Sequence, residues 1–424
     1  MLFRSFDKGA AELLRLQNGG CAAEGCRGPA PFTGARYRYL AASTVDTATG
    51  QTLFPPYEVR RFQGIPVAFI GLTLKGTPAI VVPSGVAGLQ FRDEAETVNA
   101  LVPVLRAQGI EAIVVLIHEG GFPSGGYNEC PGISGPIVGI VKKLDRAVDL
   151  VISGHTHRAY NCRIDGRLVT SADKYGTLLT QIDLTLDPAT HDVVMAQAEN
   201  VIVRTAQFAK DPAQTQLIAA YEAVAQPLAR RAVGRIAQPL PRDANAAGES
   251  ALGRVIADAQ LAATRDAGAE VAFMNEGGIR APLAAGVAHY EDLFSVQPFY
   301  NNLVTLTLTG AQVLQLLEQQ WAGQPKPRML QVSAGFAYAW DAARPVGQRV
   351  VPGSVTLQGR PLAAADAVRV TVNGFLAAGG DNFRVLTQGT DRRTGLMDID
   401  ALEAYVAAHP DLAAPAAPRV ERRN

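Results

Sequence analysis

Through residue 203 the apolar positions follow two alternating patterns. Short unbroken Val/Ile/Leu/Phe runs at "IPVAFIGLTL", "EAIVVLIHEG" and "VDLVISGHTH" predict strands, while "DEAETVNALVPVLRAQG" and "SGPIVGIVKKLDRAV" between them repeat apolar residues at helical spacing. The order is βαβαβ. Strands with no polar face must be covered on both sides, which predicts a layered α/β domain over residues 1–204 with its functional loops at the strands' carboxyl ends. "RLVTSADKYGTLLTQIDLTLD" and "HDVVMAQAENVIV" alternate with period two, as a half-exposed hairpin does. Near the start, Leu13, Leu14 and Leu16 mark an amphipathic helix ending at Asn18-Gly19-Gly20.

An Ala- and Gln-rich stretch over 205–232 predicts a linker helix, and a second α/β domain follows over 233–407. There Ser250 is placed to cap a helix carrying Leu252, Val255, Ile256 and Ala259 on one side. Further helices are expected at "TGAQVLQLLEQQW" and "DIDALEAYVAAH", and strands at "AEVAFMNEGG", "NLVTLTLTG", "RVVPGSVTLQG" and "AVRVTVNGF". The Pro/Ala-rich tail, 408–424, has no period and is expected to be disordered.

Length supports two domains, since 424 residues exceed one ordinary core. Lys plus Arg and Asp plus Glu each number 39, so the balanced charge gives no footprint of a nucleic-acid or membrane-surface binder. No apolar run approaches the roughly 20 residues that cross a bilayer. The start also lacks the apolar segment and cleavage site of a secretory signal. Cysteine usage points the other way. The four cysteines are even in number, and Cys21 and Cys26 flank a loop that a disulfide could close. Neither pair has CxxC spacing, so Cys21–Cys26 and Cys130–Cys162 bridges, and with them an oxidising compartment, are expected over a metal site.

His118 ends one apolar strand, and His155 and His157 end another, each beside glycine. A lone histidine there closes a strand end by hydrogen bonding, but three converging on one crevice read as ligands for a divalent metal.

"GHTH" after an apolar strand, with "IHEGG" upstream, resembles the calcineurin-like metallophosphoesterase fold. "NEGGIR", "QPFYNNLVTLTLTG", "SAGFAYAW" and "NGFLAAGGDNF" together resemble the carboxy-terminal domain of the secreted 5′-nucleotidases that pair with that fold. The resemblance implies an α/β metallophosphoesterase domain, here incomplete, followed by an α/β substrate-binding domain. His118, His155 and His157 match metal ligands. Phe299 and Phe375 match aromatic residues that stack on either face of a nucleobase, and Asn301 and Asp381 match positions that hydrogen-bond base or ribose. Arg280 matches a phosphate-binding arginine, with Arg242 a looser second; Asn275 and Gly335 belong to the same motifs. The implied partner is a small-molecule nucleotide, the implied cofactors are two divalent ions such as Zn or Mn, and the implied location is periplasmic or secreted. Bringing phosphate to metal further implies that the domains rotate about the 205–232 helix.

Physical chemistry supports these roles, because a base between two rings gains about 1–3 kcal/mol per contact without strong preference among bases. Arginine's planar fork suits a phosphate.

One part of the pattern departs. The Asp-x-His, Gly-Asp and Gly-Asn-His-Glu motifs of the family are not found; Phe6-Asp7-Lys8-Gly9 matches the family's residues just after the last of them, with Phe3, Arg4 and Ser5 where Asn, His and Glu should stand. Two dications about 3.5 Å apart repel by roughly 19 kcal/mol at an effective dielectric near 20, so a two-metal site needs bridging anions. Three neutral histidines provide none, and neither Asp7 nor Glu119 matches a family ligand, so at most one ion is expected. A misplaced start or an incomplete gene accounts for the gap, and it leaves a sheet edge expected to be bare. The function expected is hydrolysis of nucleoside 5′-phosphates, impaired in this chain; the alternatives are an inactive nucleotide-binding remnant, a 2′,3′-cyclic phosphodiesterase or a nucleotide-sugar hydrolase. Thiosulfate hydrolysis is disfavoured by the stacking aromatics.

Overall fold

The computed structural model describes residues 6, 8–22, 25–26, 32–79, 81, 83–324 and 326–424. Asp7 and residues 3–5 lie outside the described residues. Two compact units divide between Ala219 and Ala220, inside a helix, Pro212–Ala229, that buries none of its residues.

The first unit is built on a six-stranded sheet. Its central strands, Ile65–Leu72, Ala112–Ile117, Leu150–Ile152 and Arg167–Ala172, run parallel. Tyr57–Phe62 and Ala159–Ile164 pair antiparallel at its two ends. The unbroken apolar strands are covered on both faces, as their composition requires. On one face helices Glu94–Arg106 and Pro136–Lys143 bring Val98, Val102, Leu105, Ile137 and Val141 against Ile70, Val115 and Val151. On the other, Ile182, Leu184 and Ala196 of an antiparallel hairpin, Leu178–Leu186 and Val193–Ile202, cover Val67, Val114 and Leu168. The period-two segment "RLVTSADKYGTLLTQIDLTLD" is therefore split. Its first half is a central strand, its second half a hairpin strand, and the break falls at Asp173, Tyr175 and Gly176, all at positive φ. Leu13 is buried on the helix Gly9–Asn18 while Leu14 is exposed, in keeping with the amphipathic pattern.

In the second unit a five-stranded sheet is ordered Leu330–Val332, Val271–Asn275, Ala367–Asn373, Asn302–Thr309, Thr390–Met397, and the second and third of these are its parallel pair. Ser250 caps the helix Ala251–Ala263 by accepting from the Gly253 N–H at 2.9 Å. That helix is buried more widely than a one-sided pattern predicts, with Asp258 and Gln260 also inside. "RVVPGSVTLQG" yields only the short strand Thr356–Leu357.

The tail is a correction. Residues 408–424 are ordered: Leu412 bridges to Ile236, and Val420–Arg423 adds a parallel strand to Phe336–Asp341. Arg419 forks onto the buried Asp258 carboxylate at 2.7 and 2.8 Å. Composition suggested disorder because the tail has no period of its own; what orders it are two spaced apolar residues and one arginine whose partner lies 161 positions away.

Candidate active-site and nucleotide-binding residues

In the first unit the parallel pairing of Ala112–Ile117 with Leu150–Ile152 delivers His118 and His155 to neighbouring carboxyl ends. His118 continues the ladder, its N–H donating to the Leu72 carbonyl at 3.2 Å. His155 and His157 both take left-handed φ, 67° and 53°, a conformation uncommon for residues with side chains, though histidine enters it more readily than most. The two loops are tied together. Thr156 Oγ1 donates to the Gly121 carbonyl at 2.9 Å, and the Gly154 N–H donates to the Glu119 carbonyl at 3.2 Å. A Cβ on Gly120 would collide with the Gly154 carbonyl and the Thr156 hydroxyl, so only glycine lets the strands' ends approach.

This scaffold brings His155 Nδ1 within 3.3 Å of His118 Nε2, with the rings edge to face. His157 instead sets its ring edge to face with Tyr175, centroids 5.7 Å apart. Burial, and then the neighbouring His155, push the His118 pKa down to about 3, keeping it neutral and able to donate a lone pair. Burial also raises Glu119 to about 7. Two ligands about 2.0–2.1 Å from a tetrahedral ion stand roughly 3.4 Å apart, so the imidazole pair has the spacing of two metal ligands as well as of a hydrogen bond. Among the described residues no cluster of three or more His, Cys, Asp or Glu is arranged to hold a metal. Among the described residues the fit to an ion is thus partial, with two imidazoles brought together.

In the second unit the candidate residues gather at the carboxyl ends of the parallel pair. Asn275 and Asn373 end those strands, and Asn373 Nδ2 donates to Asn275 Oδ1 at 3.0 Å. Asn275 Nδ2 donates to Asp381 Oδ2 at 2.8 Å. Asp381, 5% exposed and in the left-handed region with φ 53°, also meets Arg328 through Oδ1 at 2.9 Å. Its carbonyl accepts from Gln324 Nε2 at 2.7 Å. Phe375, half-buried, lies across Gly380, where a Cβ would strike the ring. Arg242 Nη1 donates to the Arg280 carbonyl at 2.7 Å, and Arg280 Nη1 to the Gly277 carbonyl at 3.2 Å. Asn301 directs its amide at the buried Asp398, 3.2 Å away; Asp398 is pushed up to about 6 by burial. Phe299 is half-buried, just past the helix Tyr290–Val296.

Gly335 stands apart from this group. Leu330–Val332 runs antiparallel to Val271–Asn275 with Leu330 beside Asn275, so the chain leaves Asn275 behind before reaching Gly335. There it turns at φ 84°. Nor do the predicted residues line the cavity of about 950 Å³ in this unit, which lies among Leu314, Val350, Val355, Leu362, Arg344 and Arg384. Sequence reasoning missed Arg328, Asn373 and Asp398. Asn373 had two signals, its place at the end of an apolar strand and at the head of "NGFLAAGGDNF", whereas Arg328 in "KPRML" had none.

Residues 232–388 match the family described as 5′-nucleotidase, C-terminal domain. The solved 5′-nucleotidase precursor of Thermus thermophilus superposes with a TM-score of 0.79 at 27% identity, over 100% of this chain and 82% of that one. The second unit thus carries a 5′-nucleotidase C-terminal domain. Among curated relatives, the 5′-nucleotidase of Vibrio cholerae is 26% identical over 88% of this chain and 72% of its own. Endonuclease YhcR of Bacillus subtilis is 30% identical over 95% of this chain, which spans only 32% of that relative's length. The 5′-nucleotidase match begins where the second unit's first strand, Ala232–Ile236, begins, and includes Arg242, Asn275, Arg280, Phe299, Asn301, Phe375 and Asp381.

Proposed function

We propose that this protein hydrolyses nucleoside 5′-phosphates to nucleoside and phosphate with a divalent metal ion. The observation that carries the reading is the polar chain Asn373–Asn275–Asp381, fixed at the carboxyl ends of adjacent parallel strands inside the segment that matches the 5′-nucleotidase domain. In this reading Phe299 and Phe375 stack on the base, and Asn301, Asn275 and Asp381 address the nucleoside's polar groups. Arg280 and Arg242, brought together by their hydrogen bond, hold the phosphate. His118 and His155 hold the ion, joined by His157. A bound divalent ion supplies activation of a water and offsets charge developing on the phosphate oxygens. The buried, neutral state of His118 suits it to that ligand role.

Two cysteine pairs at disulfide distance, Cys21–Cys26 and Cys130–Cys162, support work in an oxidising compartment outside the cytosol. No helix among the described residues is long and apolar enough to cross a membrane. The test is phosphate release from AMP with added Mn²⁺ or Zn²⁺, beside AMP binding by a Phe299→Ala, Phe375→Ala double variant. Turnover by the parent and at least tenfold weaker binding by the variant are expected from two lost stacking contacts. Binding without turnover would reduce the protein to a nucleotide-binding module, for which the partial metal fit would be the reason. Undiminished binding by the variant would overturn the base site.

A further inference from the structure

We infer that the cavity of about 950 Å³ in the second unit is a binding site for a small amphipathic anion, a molecule with an apolar body and one carboxylate. Its floor continues the core of the unit. Val350 and Val355 are buried in that core, Leu314 and Leu362 pack against it half-buried, and all four line the cavity. Water against such a floor is displaced favourably by an apolar group. The space lies between the helix Gly310–Glu318, residues 344–355 and residues 382–384. Its volume is that of a small-molecule site, roughly 300–1,000 Å³, and its concave shape does not offer the broad face, roughly 800 Å² per partner, that a stable protein interface needs.

Charge decides the head group. The charged residues lining the cavity are Arg344, Arg384 and Glu318. Glu318 is already engaged, because Oε1 accepts from the Val350 N–H at 2.7 Å and Oε2 from the Arg349 N–H at 3.0 Å. The arginines are not. Among the described residues neither has a carboxylate partner, and Arg344 uses only Nε, on the Gln348 carbonyl, which leaves both Nη groups for an anion. A guanidinium beside an apolar floor suits a carboxylate that carries an apolar body. The fold itself fixes the walls. Ser354 Oγ accepts from the Ala339 N–H at 3.0 Å and the Val355 carbonyl from the Leu362 N–H at 3.0 Å, so little ordering is left for binding to supply. None of the residues assigned above to nucleoside or phosphate lines the cavity, which makes it a second site, independent of the nucleotide reading.

Both tryptophans of the chain can report on the site, since Trp321 precedes Ala322 of the lining and Trp340 bridges to Val350. The experiment titrates the full chain with decanoate, decan-1-ol and decyltrimethylammonium below their micelle thresholds, read by tryptophan fluorescence and calorimetry. The three probes share a tail and differ in charge. Decanoate is expected to bind about tenfold more tightly than the alcohol, and the ammonium most weakly. An Arg344→Met, Arg384→Met double variant should bring decanoate to within about threefold of the alcohol and leave the alcohol unchanged. Leu314→Gln should weaken decanoate and alcohol alike by about fivefold; Leu362→Gln replaces it if Leu314→Gln does not fold. Equal binding of the three probes overturns the anion assignment. Absence of binding, decanoate binding that AMP displaces, or binding untouched by the arginine and leucine variants overturns the site. Self-association that excludes decanoate gives the face to a second copy of the chain and overturns it equally.

Discussion

The two units use the same architectural device to different ends. Each places its candidate residues at the carboxyl ends of two adjacent parallel strands, with side chains held in left-handed turns: His155 and His157 in one, Asp381 and Asn382 in the other. In the second unit the polar groups satisfy one another, from Asn373 through Asn275 and Asp381 to Arg328. In the first, the His118 and His155 rings approach one another at 3.3 Å, and burial keeps His118 neutral. A network that is already closed contributes to folding, whereas a pair of lone-pair donors contributes when something binds them. The second site is therefore part of the unit's stability, and the first would add to stability only with the proposed ion bound.

The largest effect expected from that contrast is in Asp381→Ala. It leaves Arg328 without its anion and the Asn275 amide without an acceptor, and should cost about 3–4 kcal/mol, read as a fall in the unfolding midpoint. His118→Ala should cost far less, about 1 kcal/mol. Equal losses would mean that the histidine loops are as self-sufficient as the asparagine network. The second effect belongs to metal. Zn²⁺ at a hundredfold its dissociation constant should stabilise the parent by about 2.7 kcal/mol, and His118→Ala or His155→Ala should remove most of that shift. A thermal scan with and without the ion decides it. Retention of the full shift in both variants would place the ion elsewhere.

What was legible in the sequence divides along the same line. His118 and His155 could be found because unbroken apolar strands announce their own ends and a glycine lies close to each histidine; adjacency of the two strands then did the rest. Asp381 and Asn275 were legible only as motif positions. That they bond each other depends on the parallel pairing of Val271–Asn275 with Ala367–Asn373, strands nearly a hundred residues apart. Arg328 and Arg419 were illegible for a plainer reason. Each is an arginine in a Pro-containing stretch with no period, and its partner is set by tertiary contact alone. Gly335 shows the converse case: a glycine inside a motif, carried by antiparallel register away from the strand end that holds Asn275.

A third prediction uses pH. Asp398 and Asp149 both sit well above the ordinary carboxylate range through burial, at about 6 and about 7. An unfolded chain releases these protons near pH 4 while the folded one retains them, so their contribution to stability is full below pH 4. It falls as pH rises, to pH 6 for Asp398 and to pH 7 for Asp149, and is flat beyond. Asp398→Asn keeps an acceptor for the Asn301 amide and should flatten the first window, by roughly 3 kcal/mol; Asp149→Asn should flatten the second. Urea midpoints measured from pH 4 to 8 check both, and an unchanged slope in Asp398→Asn would mean that its burial does not penalise the charge.

The smallest effect tests whether left-handed turns are imposed in the second unit as they are in the first. Tyr300, between Phe299 and Asn301, has φ 52°, which costs a side-chain-bearing residue about 1–2 kcal/mol. Its ring leans on Phe294 with centroids 5.7 Å apart, and its hydroxyl lies 3.3 Å from that of Tyr290. Tyr300→Gly deletes those contacts and the strain together, so the two should nearly cancel. Tyr300→Ala deletes the contacts and keeps the strain. Alanine should therefore be less stable than glycine here by about 1 kcal/mol, the reverse of their order in a helix. Identical midpoints for the two variants would show a backbone that relaxes when the ring is gone, and the turn would then be a consequence of the tyrosine's packing, unlike the loops that hold His155.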